Sequence, residues 1–103
     1  MAMKVAYVAG PYRAKSIHGV AQNIRAAGDV ARKYWLLGYA VICPHFNTAF
    51  MDGEDTDDIF LNGDLEMIRR IDTMVMMSNW EKSTGARGEH ALAVKLGKEI
   101  IYE

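Results

Sequence analysis

The sequence predicts an α/β fold, a small three-layer sandwich in which helices flank a mainly parallel sheet of about four or five strands. Three observations carry that expectation. Short apolar runs alternate with segments whose apolar residues recur every three or four positions; Gly and Pro punctuate the joins; and the order is strand, helix, strand, helix, strand, helix, strand. At 103 residues the chain reads as a single domain, residues 1–103, large enough for one core.

The first strand is "KVAYVAG", a buried run stopped by Gly10-Pro11. From about His18 to Leu37, the apolar positions Val20, Ile24, Ala27, Ala31, Tyr34 and Trp35 fall at helical spacing, and Gly38 is a natural stop. "YAVICP" is the second strand, closed by Pro44 and followed by a polar, acidic loop to about Asp57. Residues Asp57 to Ile71 return to helical spacing, and "DTMVMM" is the third strand. "STGARG" reads as a Gly-rich turn feeding a helix of small residues, and "KEIIY" as the fourth strand. Ligands of such sheets sit beyond the carboxyl ends of the strands. The segments to watch are therefore "GPYRAKSIHG", "PHFNTAFMDGEDTDD" and "SNWEKSTGARG".

Composition narrows the classes of partner. Half the residues are apolar and the formal net charge is -1, which gives no electrostatic footprint for a nucleic acid polymer or an anionic membrane. A small phosphate ester, by contrast, needs only a local cluster of donors. The single cysteine, Cys43, leaves no internal disulfide and suits a reducing cytoplasm, where the protein is expected to stay. No apolar run approaches bilayer length, and the amino terminus lacks the pattern of a signal peptide. The three histidines and one cysteine show no paired metal-ligand spacing, so neither a metal nor another cofactor is expected.

Several residues invite a chemical explanation. On the second helix, Phe60, Leu61, Leu65, Ile68 and Ile71 make the apolar stripe, and Asp64 falls on the same side. An inward carboxylate must be paired, neutralised or open to a cavity; the bland alternative is a loop cap or a pair with Arg69 or Arg70. Glu89 follows the Gly-rich stretch, where it is either a dipole-stabilising acid in a first turn or a nucleophile. Ser83 or Thr84 can cap that helix, and Gly85 and Gly88 would let backbone N–H groups approach a ligand. Arg13 could fix an anion at the following helix N-terminus, or be a solvated loop cation. Tyr7 is by default a core aromatic, His45 a loop histidine, and Trp80 either a stacking surface or a cover for the end of the sheet.

These pieces in this order resemble the nucleoside 2-deoxyribosyltransferase superfamily. The likeness is greatest to the small 2′-deoxynucleoside 5′-monophosphate N-glycosidases and to related short, often phage-encoded proteins. "YVAGPYR" supplies Tyr7, Gly10 and Arg13; "GDLEMIRRID" supplies Asp64 and Asp72; "STGARGEHALA" supplies Ser83, Gly85 and Glu89. The resemblance spans nearly the whole chain and implies a flavodoxin-like sheet. It implies Glu89 as nucleophile, Asp64 as acid or hydrogen-bond partner of the departing base, and Tyr7 as the group that orients carboxylate and sugar. It further implies substrate contacts from Gly10, Tyr12, Arg13, Ser83 and Gly85, with His45 and Trp80 near the base, whereas Asp72 ends its helix. A serine at position 83, where free-nucleoside transferases carry an acid, favours a nucleoside monophosphate, because an acid there would repel phosphate. Family members continue past the last strand into a neighbouring subunit's site; this sequence stops at Glu103, and a homo-oligomer is expected. The leading expectation is hydrolysis of the N-glycosidic bond of a (deoxy)nucleoside 5′-monophosphate. The alternatives are base exchange between deoxynucleosides and a non-catalytic nucleotide-binding or sensing module.

Overall fold

Two strands, β1 (Val5–Ala9) and β3 (Thr73–Met76), are buried almost throughout, as suits the middle of a sheet covered on both faces. In the computed structural model, which describes residues 2–103, they pair in parallel with Tyr7 opposite Met74 and Val8 opposite Val75. The edge strand β2 (Ala40–Ile42) adds to β1, and β4 (Glu99–Tyr102) adds to β3. The sheet is therefore four strands, all parallel, in the order β2-β1-β3-β4, which is flavodoxin-like. Leaving β1, the chain moves to one side for β2 and returns to the other side for β3. The carboxyl ends of β1 and β3 thus flank the switch point at which such folds bind ligands.

Strand alternation sorts the core into two layers. Ala6, Val8 and Val75 face helix α1 (Ile17–Leu36), which buries Ala27, Ala31 and Tyr34 against them. Tyr7, Ala9, Met74 and Met76 face the opposite way, against Ile68, Ile71, Ala86 and Ala93. That second layer comes from α3 (Asp57–Arg70) and α4 (Thr84–Lys95) and the turn after α3; a single-turn helix, α2 (Pro44–Asn47), precedes them. Each long helix starts and stops for a local reason. Ser16 caps α1 by accepting the Gly19 N–H at 3.0 Å, and Gly38, at φ +99°, takes the left-handed conformation that ends it. Asp57 and Asp58 in the first turn of α3, with Arg69 and Arg70 in its last, complement the helix dipole. No helix among the described residues is long and apolar enough to cross a membrane.

Three expectations change. Pro44 does not merely close β2 but opens α2, since its fixed φ suits a first helical position. "STGARG" is not a turn, because α4 begins at Thr84 and carries Gly85 and Gly88 within it. Trp35 is 55% exposed and Leu61 43%, so neither belongs to the core stripe. On α1 the inward position is taken by Tyr34, and the next residue is turned about 100° away from it.

The first strand ends on a close approach. A Cβ on Gly10 would stand 2.9 Å from Cβ and Cγ of Met77, so this glycine is required by packing against the residue after β3. Gly10→Ala is expected to lower stability in urea by about 1–3 kcal/mol. Met77→Ala in the same chain should recover part of that loss; a Gly10→Ala protein as stable as the parent would overturn the assignment.

Candidate active site

Tyr7 lies on the central strand with its side chain directed at the α3–α4 layer, and the residue is fully buried. Its hydroxyl donates a hydrogen bond to Glu89 Oε2, on the second turn of α4. Helix α4 comes near enough because small residues, Ala86 and Ala93, form its buried face. Ser83 fixes where the helix begins, its Oγ accepting the Ala86 N–H at 3.1 Å. Glu89 therefore lies beyond the first turn, and no acidic residue occupies that turn. Simple helix electrostatics does not account for it.

Asp64, half-buried on α3, faces the same place, and its charge acts on both Tyr7 and Glu89. The bland partners are already engaged: Glu66 takes Arg69 at 3.2 Å and Arg70 at 2.9 Å. Among the described residues, no cation pairs with Asp64 or Glu89. Burial pushes the Glu89 carboxyl up to about 7; the Tyr7 hydrogen bond opposes that rise and Asp64 adds to it. Burial likewise holds Asp64 at about 6. Tyr7 is raised far above its ordinary range by burial, and then by the two neighbouring carboxylates, so its hydroxyl remains a donor. One proton shared between two close carboxyls near neutral pH is the electrostatic condition under which acid and nucleophile roles separate.

The other residues singled out in the sequence are distributed around this centre. His45 is buried at 5% exposure, and its Nε2–H donates to the Pro11 carbonyl at 2.8 Å. Its Nδ1 is then a buried acceptor without a partner among the described residues, and burial lowers its pKa. Tyr12 and Arg13 are engaged by the acidic loop. The Tyr12 hydroxyl donates to Asp52 at 2.7 Å and accepts the Phe50 N–H at 2.8 Å, and Arg13 pairs with Asp57 at 2.5 Å. Trp80, in a 3-10 turn (Trp80–Lys82), lies against His90 with ring centroids 4.3 Å apart. His90 in turn shares a 2.7 Å hydrogen bond with Tyr102. Gly85 lies in the first turn of α4, where the leading N–H groups lack helical acceptors. A Cβ there would meet only Ser83 Oγ at 3.8 Å, so packing does not demand glycine.

Sequence reasoning missed the Trp80–His90–Tyr102 cluster and the partners of Tyr12 and Arg13. For the cluster, His90 directly after Glu89 was the one visible signal. A cavity of about 330 Å³, rimmed by Trp35, Leu36 and Phe46, lies beside α1 and β2 and contains neither carboxylate. The two carboxylates lie outside this largely apolar hollow, whose lining offers Arg32, Asn47, the Cys43 thiol and the Trp35 indole N–H as polar groups. Among the described residues, no three His, Cys, Asp or Glu side chains converge in a way that could hold a metal ion.

Residues 3–102 match the family model described as domain of unknown function DUF4406. No curated protein matches the chain. Two solved structures share the fold. A 2-deoxyribosyltransferase from Bacillus psychrosaccharolyticus aligns with a TM-score of 0.67 at 22% identity, covering 95% of this chain and 70% of that one. A 2-deoxyribosyltransferase from Leishmania mexicana aligns with a TM-score of 0.65 at 22% identity, covering 96% of this chain and 63% of that one, less than two thirds of its length. At such identities the likeness is one of fold.

The raised carboxyl pKa values have a stability consequence. Unfolded, Glu89 and Asp64 ionise near 4.5 and 3.8; folded, near 7 and 6. The native state therefore binds more protons across that interval. Their contribution to stability is complete below about pH 4 and is lost as pH rises through about 7. Glu89→Gln removes the larger share, so its urea midpoint should gain on the parent's as pH is raised from about 4 to about 8. Parallel midpoint curves for the two proteins would show that Glu89 is not held in this way.

Proposed function

We infer that this chain, which belongs to the DUF4406 family, hydrolyses the N-glycosidic bond of a (deoxy)nucleoside 5′-monophosphate through a glutamate nucleophile. One observation carries the inference: Glu89, hydrogen-bonded by Tyr7 of the central strand and without a cation partner among the described residues, is buried where the charge of Asp64 acts on it. The fold shared with two 2-deoxyribosyltransferases supports it.

The chemistry follows from the two carboxyls. Just below neutral pH, with values of about 7 and 6, they hold one proton between them. Tyr7 donates to Glu89 and so favours charge there, yet Glu89, with the higher value, keeps the shared proton more often; the reactive form is the other one, with Glu89 charged and the proton on Asp64 beside the departing base. Glu89 attacks C1′ as the C1′–N bond breaks. The bond's electron pair leaves with the base, which takes the proton from Asp64, and an ester joins C1′ to Glu89. Water, deprotonated by Asp64, then attacks C1′ and releases the sugar phosphate and the Glu89 carboxylate.

The phosphate is assigned to the head of α4. The lone pair that Ser83 uses as a cap leaves its O–H free to donate, and the leading N–H groups of α4 lie beside it. Arg13 is the nearby cation, and Gly10 and Tyr12 belong to the same loop. The buried Nδ1 of His45 supplies an acceptor for a donor on the base. Base exchange is the second reading, favoured by the fold shared with two 2-deoxyribosyltransferases.

Incubation with a panel of nucleoside 5′-monophosphates, followed by assay for free base, tests both readings. Release that needs no added base supports hydrolysis; release only when a second base is supplied supports exchange. Glu89→Gln is expected to lower turnover by about 1,000-fold or more while nucleotide binding persists, and an active variant would reject the nucleophile. The parent's rate should rise through about pH 6 and fall through about pH 7, following the singly protonated pair. A plateau above pH 7 would instead make Asp64 a hydrogen-bond partner and not a proton donor.

A further inference from the structure

The connection from α2 to α3 carries Asp52, Glu54 and Asp55, the first turn of α3 adds Asp57 and Asp58, and residues 48–58 contain no lysine or arginine. This strongly acidic segment lies at the rim of the same crevice, because it leads directly into the helix that bears Asp64. It is held there by side chains of the loop after β1. The Tyr12 hydroxyl bridges the Phe50 N–H and Asp52, and Arg13 grips Asp57. Those two side chains stand on a fixed base, since Asn23 of α1 donates to the Tyr12 carbonyl at 2.9 Å and to the Arg13 carbonyl at 3.3 Å. The held segment is strained: Phe50 has φ +59°, a left-handed conformation uncommon for an aromatic residue, and its N–H is the one bound by Tyr12.

We propose that Asp57 is a built-in competitor for the ligand's phosphate: it occupies Arg13 in the free protein and must give up that guanidinium when a phosphomonoester binds, so that Asp57 sets the preference between nucleoside monophosphate and free nucleoside. The proposal rests on the nucleotide reading of the site. The pair is suited to such an exchange. Its two side chains are 71% and 56% exposed, and an ion pair in that setting is weakly held. A phosphate dianion offers the guanidinium two charge-assisted bonds and displaces a single carboxylate contact. While the latch is closed, Arg13 is neutralised and the acidic rim disfavours an anion; once it opens, the cation becomes available to the ligand. Weakening the Asp57 contact strengthens phosphate binding, by at most the factor by which the closed pair had reduced it.

Calorimetric titrations test this in a Glu89→Gln background that halts turnover, using the common 2′-deoxynucleosides and their 5′-monophosphates as probes. Adding Asp57→Asn should tighten the monophosphate by about 3-fold to 10-fold relative to the matching nucleoside. Adding Asp58→Asn instead removes an equal charge from the same turn without freeing Arg13, and should leave that ratio unmoved. An unmoved ratio in Asp57→Asn, or an equal shift in Asp58→Asn, overturns the proposal. If the parent releases base from monophosphates while Asp57→Asn leaves the ratio unmoved, the competition by Asp57 falls and the glycosidase reading stands. If the ratio shifts in Asp57→Asn but the parent releases no base from any ligand, the exchange stands and the glycosidase reading falls.

Discussion

The hydrogen bond from Tyr7 to Glu89 joins the central strand to the last helix, and the arrangement around the switch point depends on it. An ionisable carboxyl drawn out of water is costly unless something stabilises its charged form, and a phenol donor is the only direct hydrogen-bond partner found for Glu89 among the described residues. The bond is possible because three local facts agree. Strand alternation turns Tyr7 toward α4, the Ser83 cap sets the helix register, and the alanines on the buried face of α4 bring its backbone close to the sheet. A bulkier helix would hold Glu89 away from the tyrosine; a different cap would turn it elsewhere.

The charges nearby are arranged to leave that carboxyl unneutralised. Two arginines lie within two turns of Asp64 on the same helix, yet both are taken by Glu66 on the solvent side. The cation of the first loop is likewise held by Asp57 at the rim. A structure selected only for stability would place one of these guanidinium groups against the buried pair, because an unpaired carboxyl near a second one lowers stability as soon as both ionise. The withheld cations are what separate Asp64 and Glu89 from an ordinary buried ion pair, and packing alone does not account for that arrangement.

Much of this was legible in the sequence where burial is two-sided. The runs around Tyr7 and Met74 are apolar on consecutive residues, a pattern that only a covered central strand explains, and the period of α1 gave its extent to within a residue or two. Legibility failed where a residue type carries two meanings. Gly85 and Gly88 look like turn formers, but Ser83 caps ahead of them and the residues around them sustain a helix, so they are helical glycines whose missing Cβ atoms leave space open. Pro44 ends a strand and starts a helix in one step. The rim contacts were hidden for another reason: Arg13 and Asp57 are 44 residues apart, Tyr12 and Asp52 are 40 apart, and local periodicity says nothing about which exposed acid a given side chain will select.

The two faces of the sheet also explain why the polar and apolar features are segregated. Two helices, α3 and α4, share one face and close over it, which leaves the carboxyls enclosed and shifts their protonation. A single helix, α1, must cover the other. It packs chiefly against β1 and β2, and the space beside Val41 and Cys43 is filled partly by Phe46 and otherwise remains a cavity of about 330 Å³. Trp35, Leu36 and Phe46 stay exposed around it because no second helix arrives to bury them. Uneven coverage of one small sheet thus produces, on opposite sides, an apolar hollow with no acid in its lining and a centre where burial raises two carboxyl pKa values.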